Sequence, residues 1–347
     1  MADFDFSAVG IASGRRRLAG FISGPTRRPT PSTLPARRPM PSIPGRRRSG
    51  PRLVLGAHQS IAGGFHRAVE RAIETGCECL QIFTRNINQW AVSPIAADDA
   101  SKFQEAVRSA GLALVVAHDS YLINPASADP DLRKKSIAGL IEEVRRAEML
   151  GIPWVVAHPG AAGEQPVTAA VARAAAGIAE ALRKTPKLAA GILIETTAGQ
   201  GSCLGATFEE IGAMLDVIDS TPNLKKRIGV CLDTCHVFAA GYPLAPAAAL
   251  DDTLRQFDRH IGLKRLKVIH ANDSKRELGS RVDRHEGIGT GKIGREAFRL
   301  LANHPALTGI PWILETPKEG PDGKPSAAVD RRNIATIRRL ERSSDSP

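Results

Sequence analysis

The chain has 347 residues, 42% of them hydrophobic, and a formal net charge of +11. That is enough apolar material for one large core or two modest ones, and no apolar run approaches the roughly 18–20 residues that a membrane span needs. Five cysteines (Cys77, Cys79, Cys203, Cys231 and Cys235) are odd in number and lack C-x2-C pairing, which argues against a four-cysteine zinc site and for reduced thiols in a cytosol-like compartment.

The charge is concentrated at the start. Residues 1–50 hold ten arginines against Asp3 and Asp5, a balance of +8, which leaves 11 − 8 = +3 for the remainder. Seven prolines fall between Pro25 and Pro44, among arginine pairs, serine and threonine. Such a segment reads as a disordered basic extension. A secretory or twin-arginine signal is argued against by the short apolar stretch behind "SGRRRLAGFIS". A mitochondrial transit peptide shares the arginine-rich, acid-poor composition, although so many prolines oppose an amphipathic helix. A basic tail of this kind adds salt-sensitive, sequence-independent attraction to nucleic acid.

From Leu53 onward, short apolar runs alternate with longer amphipathic segments. In chain order the predicted strands are "LVLGAH", "CLQIFT", "ALVVAH", "WVVAH", "GILIE", "GVCLD", "LKVIH" and "PWILE". The segments between them are helical in period. Over 131–151, for example, Leu132, Ile137, Leu140, Ile141 and Val144 share one side, and Gly151 is the expected stop. Parallel strands buried on both faces read as continuous apolar runs. Eight of them alternating with helices over about 290 residues predict a single-domain (β/α)8 TIM barrel covering residues 51–347. The rival is an open doubly wound sheet, but neither common nucleotide-binding glycine motif is present.

The predicted strands end at His58, Thr84, His118, His158, Glu195, Asp233, His270 and Glu315. In a barrel these ends share one rim, where such folds place their chemistry. One histidine after a strand is usually a satisfied loop residue. Four histidines and three carboxylates at equivalent ends are not. Asp233-x2-His236 and Asp283-x-His285 add two ligand-type pairs just beyond strand ends. His66, His260 and His304 fall in helical stretches and are read as ordinary surface or packing residues. Nine candidates (His118, His158, Glu195, Asp233, His236, His270, Asp283, His285 and Glu315) are too many for one four-coordinate zinc and suit two or three ions with a bridging carboxylate. Three Zn2+ with four carboxylates give +6 − 4 = +2, a charge that favours an anionic substrate such as a phosphodiester.

"HDSYLIN" (118–124), "HPG" (158–160), "IETTAGQGSCLG" (194–205), "CLDTCHVFAAGY" (231–242), "HANDSK" (270–275), "GSRVDRHEGIGTG" (279–291) and "ILET" (313–316) occur in order. Together they strongly resemble endonuclease IV, the zinc-dependent apurinic/apyrimidinic endonuclease family, over about residues 53–320. The resemblance implies a trinuclear zinc cluster. His118 and His158 would hold the first ion, and Glu195 would bridge it to the second. Asp233, His270 and Glu315 would complete the second. His236, Asp283 and His285 would hold the third. It further implies hydrolysis 5′ to abasic sites in double-stranded DNA by metal-bound hydroxide, with Glu195 orienting the hydroxide and a 3′-hydroxyl and 5′-deoxyribose phosphate as products. Tyr121 and Leu122 match residues that wedge into the duplex. The chain departs from the family at Asn88 in "FTRNINQW", where a basic residue that enters the minor groove is common. The expected form is a cytoplasmic, nucleoid-associated monomer. Two other readings remain open to test: a sugar isomerase or epimerase of the related barrels, which needs only one or two ions, and an inactive DNA-binding module driven by its tail.

Overall fold

The computed structural model describes residues 52–320 and 325–341. The expectation of a disordered extension over residues 1–50 lies outside the described residues.

The eight predicted strands all form. They are β1 (Leu55–His58), β2 (Cys79–Phe83), β3 (Leu114–His118), β4 (Trp154–Ala157), β5 (Gly191–Glu195), β6 (Ile228–Asp233), β7 (Leu266–His270) and, after a long excursion, β10 (Trp312–Leu314). Each pairs in parallel with its neighbours, and β10 closes the sheet onto β1. The barrel is therefore shut and leaves no edge among these strands, as the run of doubly buried strands predicted. The excursion between β7 and β10 contains a short antiparallel pair, β8 (Asp273–Ser274) and β9 (His285–Glu286), in which Ser274 faces His285.

Helices cover the outside. The one predicted over 131–151 spans Pro130–Met149. Proline supplies the first helical residue, and the Asp129 carboxylate accepts from the amides of Asp131 and Leu132, two donors the helix itself leaves unpaired. Ile137, Leu140, Ile141 and Val144 are buried against the barrel, whereas Leu132 is only half-buried. The helix stops at Met149, and Gly151 follows in the left-handed region with φ 70°.

Side chains alternate across each strand, so one set of positions fills the barrel. Cys79, Val116, Val156, Leu193, Cys231, Val268 and Ile313 form a buried apolar layer with one residue from each of seven strands. The eighth strand contributes Gly56. A Cβ there would lie 1.9 Å from the Cys79 carbonyl oxygen, so only glycine fits. This layer is the floor on which the site stands.

Candidate metal centre

Two residues further along every strand, the alternation presents the next interior position at the carboxyl rim. Those positions are His58, Gln81, His118, His158, Glu195, Asp233, His270 and Glu315. All but Gln81 were expected from the strand ends. On β2 the expected rim residue was Thr84. It is buried away from the barrel mouth, donating its hydroxyl to Glu143 and accepting from Arg146. The period-2 count from Cys79 selects Gln81 instead, and that is the signal the strand-end reading passed over.

Among the described residues, ligand-type atoms gather into five overlapping groups, three of which consist of histidine and carboxylate alone. In the first, Glu195 Oε2 lies 3.1 Å from His118 Nε2 and 3.0 Å from His158 Nε2. In the second, Glu195 Oε1 lies 2.9 Å from His270 Nδ1, which is 3.1 Å from Glu315 Oε2 and 4.0 Å from Asp233 Oδ2. In the third, Asp283 reaches His236 Nε2 at 3.2 Å and His285 Nε2 at 3.3 Å. Glu195 thus turns one oxygen to each of the first two groups. Asp233 stands between the second and third, with its Oδ2 3.6 Å from His285 Nε2. Its other oxygen accepts from the His236 amide and caps the helix Thr234–Ala240. This turn sends His236 away from the strand end, so Asp233 and His236 join different groups.

The imidazoles are oriented from behind. His118 Nδ1 donates to the Asp119 carbonyl at 2.9 Å, His236 Nδ1 to the Thr196 carbonyl at 2.8 Å, and His285 Nδ1 to the Glu315 carbonyl at 3.3 Å. Each bond leaves Nε2 as the outward lone pair. His270 is reversed: its Nε2 donates to Gln81 Oε1 at 2.8 Å, which leaves Nδ1 facing the carboxylates. The Gln81 amide nitrogen in turn donates to Glu315 Oε1 at 2.5 Å and to His58 Nδ1 at 3.0 Å. A carboxylate only accepts, so Glu315 fixes the amide's orientation, and that orientation fixes the His270 tautomer. Asn272, fully buried, donates to Asp233 Oδ2 at 2.6 Å and accepts from the Glu315 amide at 2.8 Å.

Charge follows the geometry. Burial alone would raise the Glu195 carboxyl, but the imidazoles of His270, His158 and His118 hold it well below the usual range. Burial would lower His236, yet Asp233, Asp283 and Glu195 hold it well above its ordinary value. The carboxylates therefore favour positive charge at this rim, and divalent cations supply more of it than protons do. Two buried atoms of the third group, Asp283 Oδ1 and His285 Nε2, have no hydrogen-bond partner among the described residues. Two ligands held tetrahedrally at about 2.0–2.1 Å from one zinc lie about 3.3 Å apart, close to the shorter spacings found here. The residues fit zinc. Cys231 and Cys235 lie within reach of the second and third groups, but burial pushes both thiols up to about 12, which supports histidine and carboxylate ligation over thiolate.

Tyr121 is 57% exposed on the loop after β3, its ring 5.9 Å from that of His118 and 6.1 Å from that of His158. Leu122 beside it is half-buried. Asn88 is exposed on the loop after β2, and the two loops are joined by a 2.5 Å bond from Ser120 Oγ to the Ile87 carbonyl. Arg85 of the same loop is buried, its guanidinium bonded to Glu143 at 2.5 Å, so it anchors the loop and does not face outward. His66, His260 and His304 lie apart from the rim, in or beside helices.

A closed parallel barrel with three such ligand groups on its carboxyl rim defines an enzyme of the xylose isomerase-like TIM barrels, and the model of that family matches residues 69–340. A probable endonuclease 4 from Trichlorobacter lovleyi is 46% identical over 286 residues, covering 82% of this chain and 99% of the relative. The crystal structure of endonuclease IV from Thermus thermophilus superposes with a TM-score of 0.70 at 35% identity, over 82% of this chain and 98% of that one. The chain belongs to the endonuclease 4 family of DNA repair endonucleases. A D-tagatose 3-epimerase-like protein, at 19% identity and a TM-score of 0.61 over 82% of this chain and 97% of that one, shares the fold alone.

Proposed function

We propose that this chain hydrolyses the phosphodiester bond 5′ to abasic sites in double-stranded DNA, leaving a 3′-hydroxyl and a 5′-deoxyribose phosphate. The observation that carries the reading is the division of nine rim residues into three groups, two of them sharing Glu195. One or two ions would not need the His236–Asp283–His285 group. His118, His158 and Glu195 would hold the first zinc; Glu195, Asp233, His270 and Glu315 would hold the second; His236, Asp283 and His285 would hold the third. When bound, the ions supply a nucleophilic water near neutral pH and offset the charge that builds on the phosphate. Glu195, between two groups and fully buried, orients the attacking water.

Tyr121 and Leu122 enter the duplex beside the lesion, a role supported by the exposed phenol ring lying near the rings of His118 and His158. An abasic nucleotide leaves the stack at least cost, because no base has to be unpaired. Asn88 follows on the adjoining loop as a neutral groove contact. Residues 51–347 form the catalytic unit, acting as a monomer in the cytoplasm. Residues 1–50 are an accessory that adds attraction to DNA.

The test is nicking of a duplex bearing one abasic analogue, with and without a strong chelator, beside elemental analysis of the purified protein. Three zinc ions per chain and chelator-sensitive incision 5′ to the lesion are expected. One or two ions with no incision would favour a sugar isomerase or epimerase. Affinity carried by residues 1–50 alone, without cleavage, would favour an inactive DNA-binding module.

A further inference from the structure

The glycine-rich stretch "GIGTGKIG" (287–294) leaves the third group immediately after His285. Loops of this composition often present backbone amides to an external anion. Here the anion is internal. Asp273 is fully buried, and its two oxygens accept five backbone amides. Oδ2 accepts from Gly289 at 2.9 Å and Gly291 at 3.0 Å. Oδ1 accepts from Ser274 at 2.8 Å, Ile293 at 2.9 Å and Gly294 at 3.4 Å. Next to it, the Ser274 carbonyl accepts the Lys292 amide at 2.7 Å. The fit is close: a Cβ on Gly291 would stand 2.4 Å from the Ser274 carbonyl oxygen and 2.6 Å from Asp273 Oδ1.

The strand pair that carries His285 is only two residues long on each side, with Asp273 opposite Glu286 and Ser274 opposite His285. So short a pair has little stability of its own. The chain that leaves it runs directly into the carboxylate's grip, and amides bonded to an ionised acceptor are held more strongly than amides on a carbonyl.

We propose that Asp273 is a positioning residue for the third metal group: it clamps the 287–294 loop, and the clamped loop holds His285 and Asp283 against His236. The proposal rests on the three-ion reading. Asp273→Asn keeps one acceptor oxygen and turns a donor toward amides that are themselves donors. Gly291→Ala leaves the carboxylate intact and wedges the loop off it. Both variants are examined by elemental analysis after dialysis against graded chelator, and by amide exchange of residues 285–294. We expect each to retain two ions as tightly as the parent, to weaken the third by about 10- to 100-fold, and to exchange faster in this loop alone. If Asp273→Asn does not fold, Gly291→Ala reads the same quantities. A third ion held at parental strength in a folded variant, or equal weakening of all three ions, overturns the proposal. A parent that binds fewer than three ions overturns the three-ion reading instead, and loop exchange in the variants still decides whether Asp273 is the clamp.

Discussion

Replacing Glu195 by glutamine should remove two ions, whereas replacing His236 by alanine should remove one. Each Glu195 oxygen faces a different group, Oε2 toward His118 and His158 and Oε1 toward His270, at 2.9–3.1 Å. An amide turns a donor to one of the two ions and has no charge for either. His236 offers Nε2 to the third group only. A separate readout comes from the metal-free protein. Glu195 lies below its usual carboxyl value, and His118, His236 and His270 lie above theirs. The carboxylate's share of stability is present above its unfolded pKa and is lost as pH falls through the depressed value. The imidazoles' share is present below their unfolded pKa and is lost as pH rises through the raised values. Both shares are complete between about pH 4.5 and 6.5. Breaking one buried ion pair costs about 3 kcal/mol or more, which at about 2.1 cal/mol/K per residue over about 290 residues lowers Tm by roughly 5 °C or more. Elemental analysis and thermal melts of chelator-treated protein at pH 5.5 measure the two effects. Loss of one ion in both variants, or of all three in both, would refute the bridging role.

Gln81→Leu should weaken the second ion by about 10-fold or more, because His270 then loses the bond that exposes Nδ1; cadmium-113 NMR of the loaded protein would show that resonance changed and the third group's unchanged. Asn88→Arg should tighten binding to a non-cleavable abasic duplex by roughly 1 kcal/mol or more, with single-turnover cleavage at saturation little altered. Since Arg85 is committed to Glu143, unchanged affinity would mean that Asn88 does not meet the groove. Deleting residues 1–50 should leave cleavage at saturation intact and flatten the salt dependence of duplex binding, and abolished cleavage would show the tail to be essential.

The barrel was legible because its strands are buried on both faces, so they stand out as unbroken apolar runs that end in ligand-type residues. The separation of Asp233 from His236 was accessible only through the family resemblance, since spacing alone fits a shared ion as well as two. Gln81 escaped notice because it lies inside a run, two residues before the strand ends, and an amide there looks like an interruption of the core. Nothing near Arg85 in sequence reveals its partner either: Glu143 is 58 residues away. The Asp273 clamp likewise joins segments that only the fold brings together.

The first two ligand groups and the third differ in origin. His118, Glu195, Asp233 and His270 are strand residues, and His158 and Glu315 follow immediately after strands. His236 instead lies on a helix, and Asp283 and His285 lie in the excursion between β7 and β10. The barrel's own strand ends therefore supply the first two groups, and the third is assembled from two segments outside the strands, the helix after β6 and the excursion after β7. Changes in those two segments would alter the third group and leave the sheet and its apolar floor as they are.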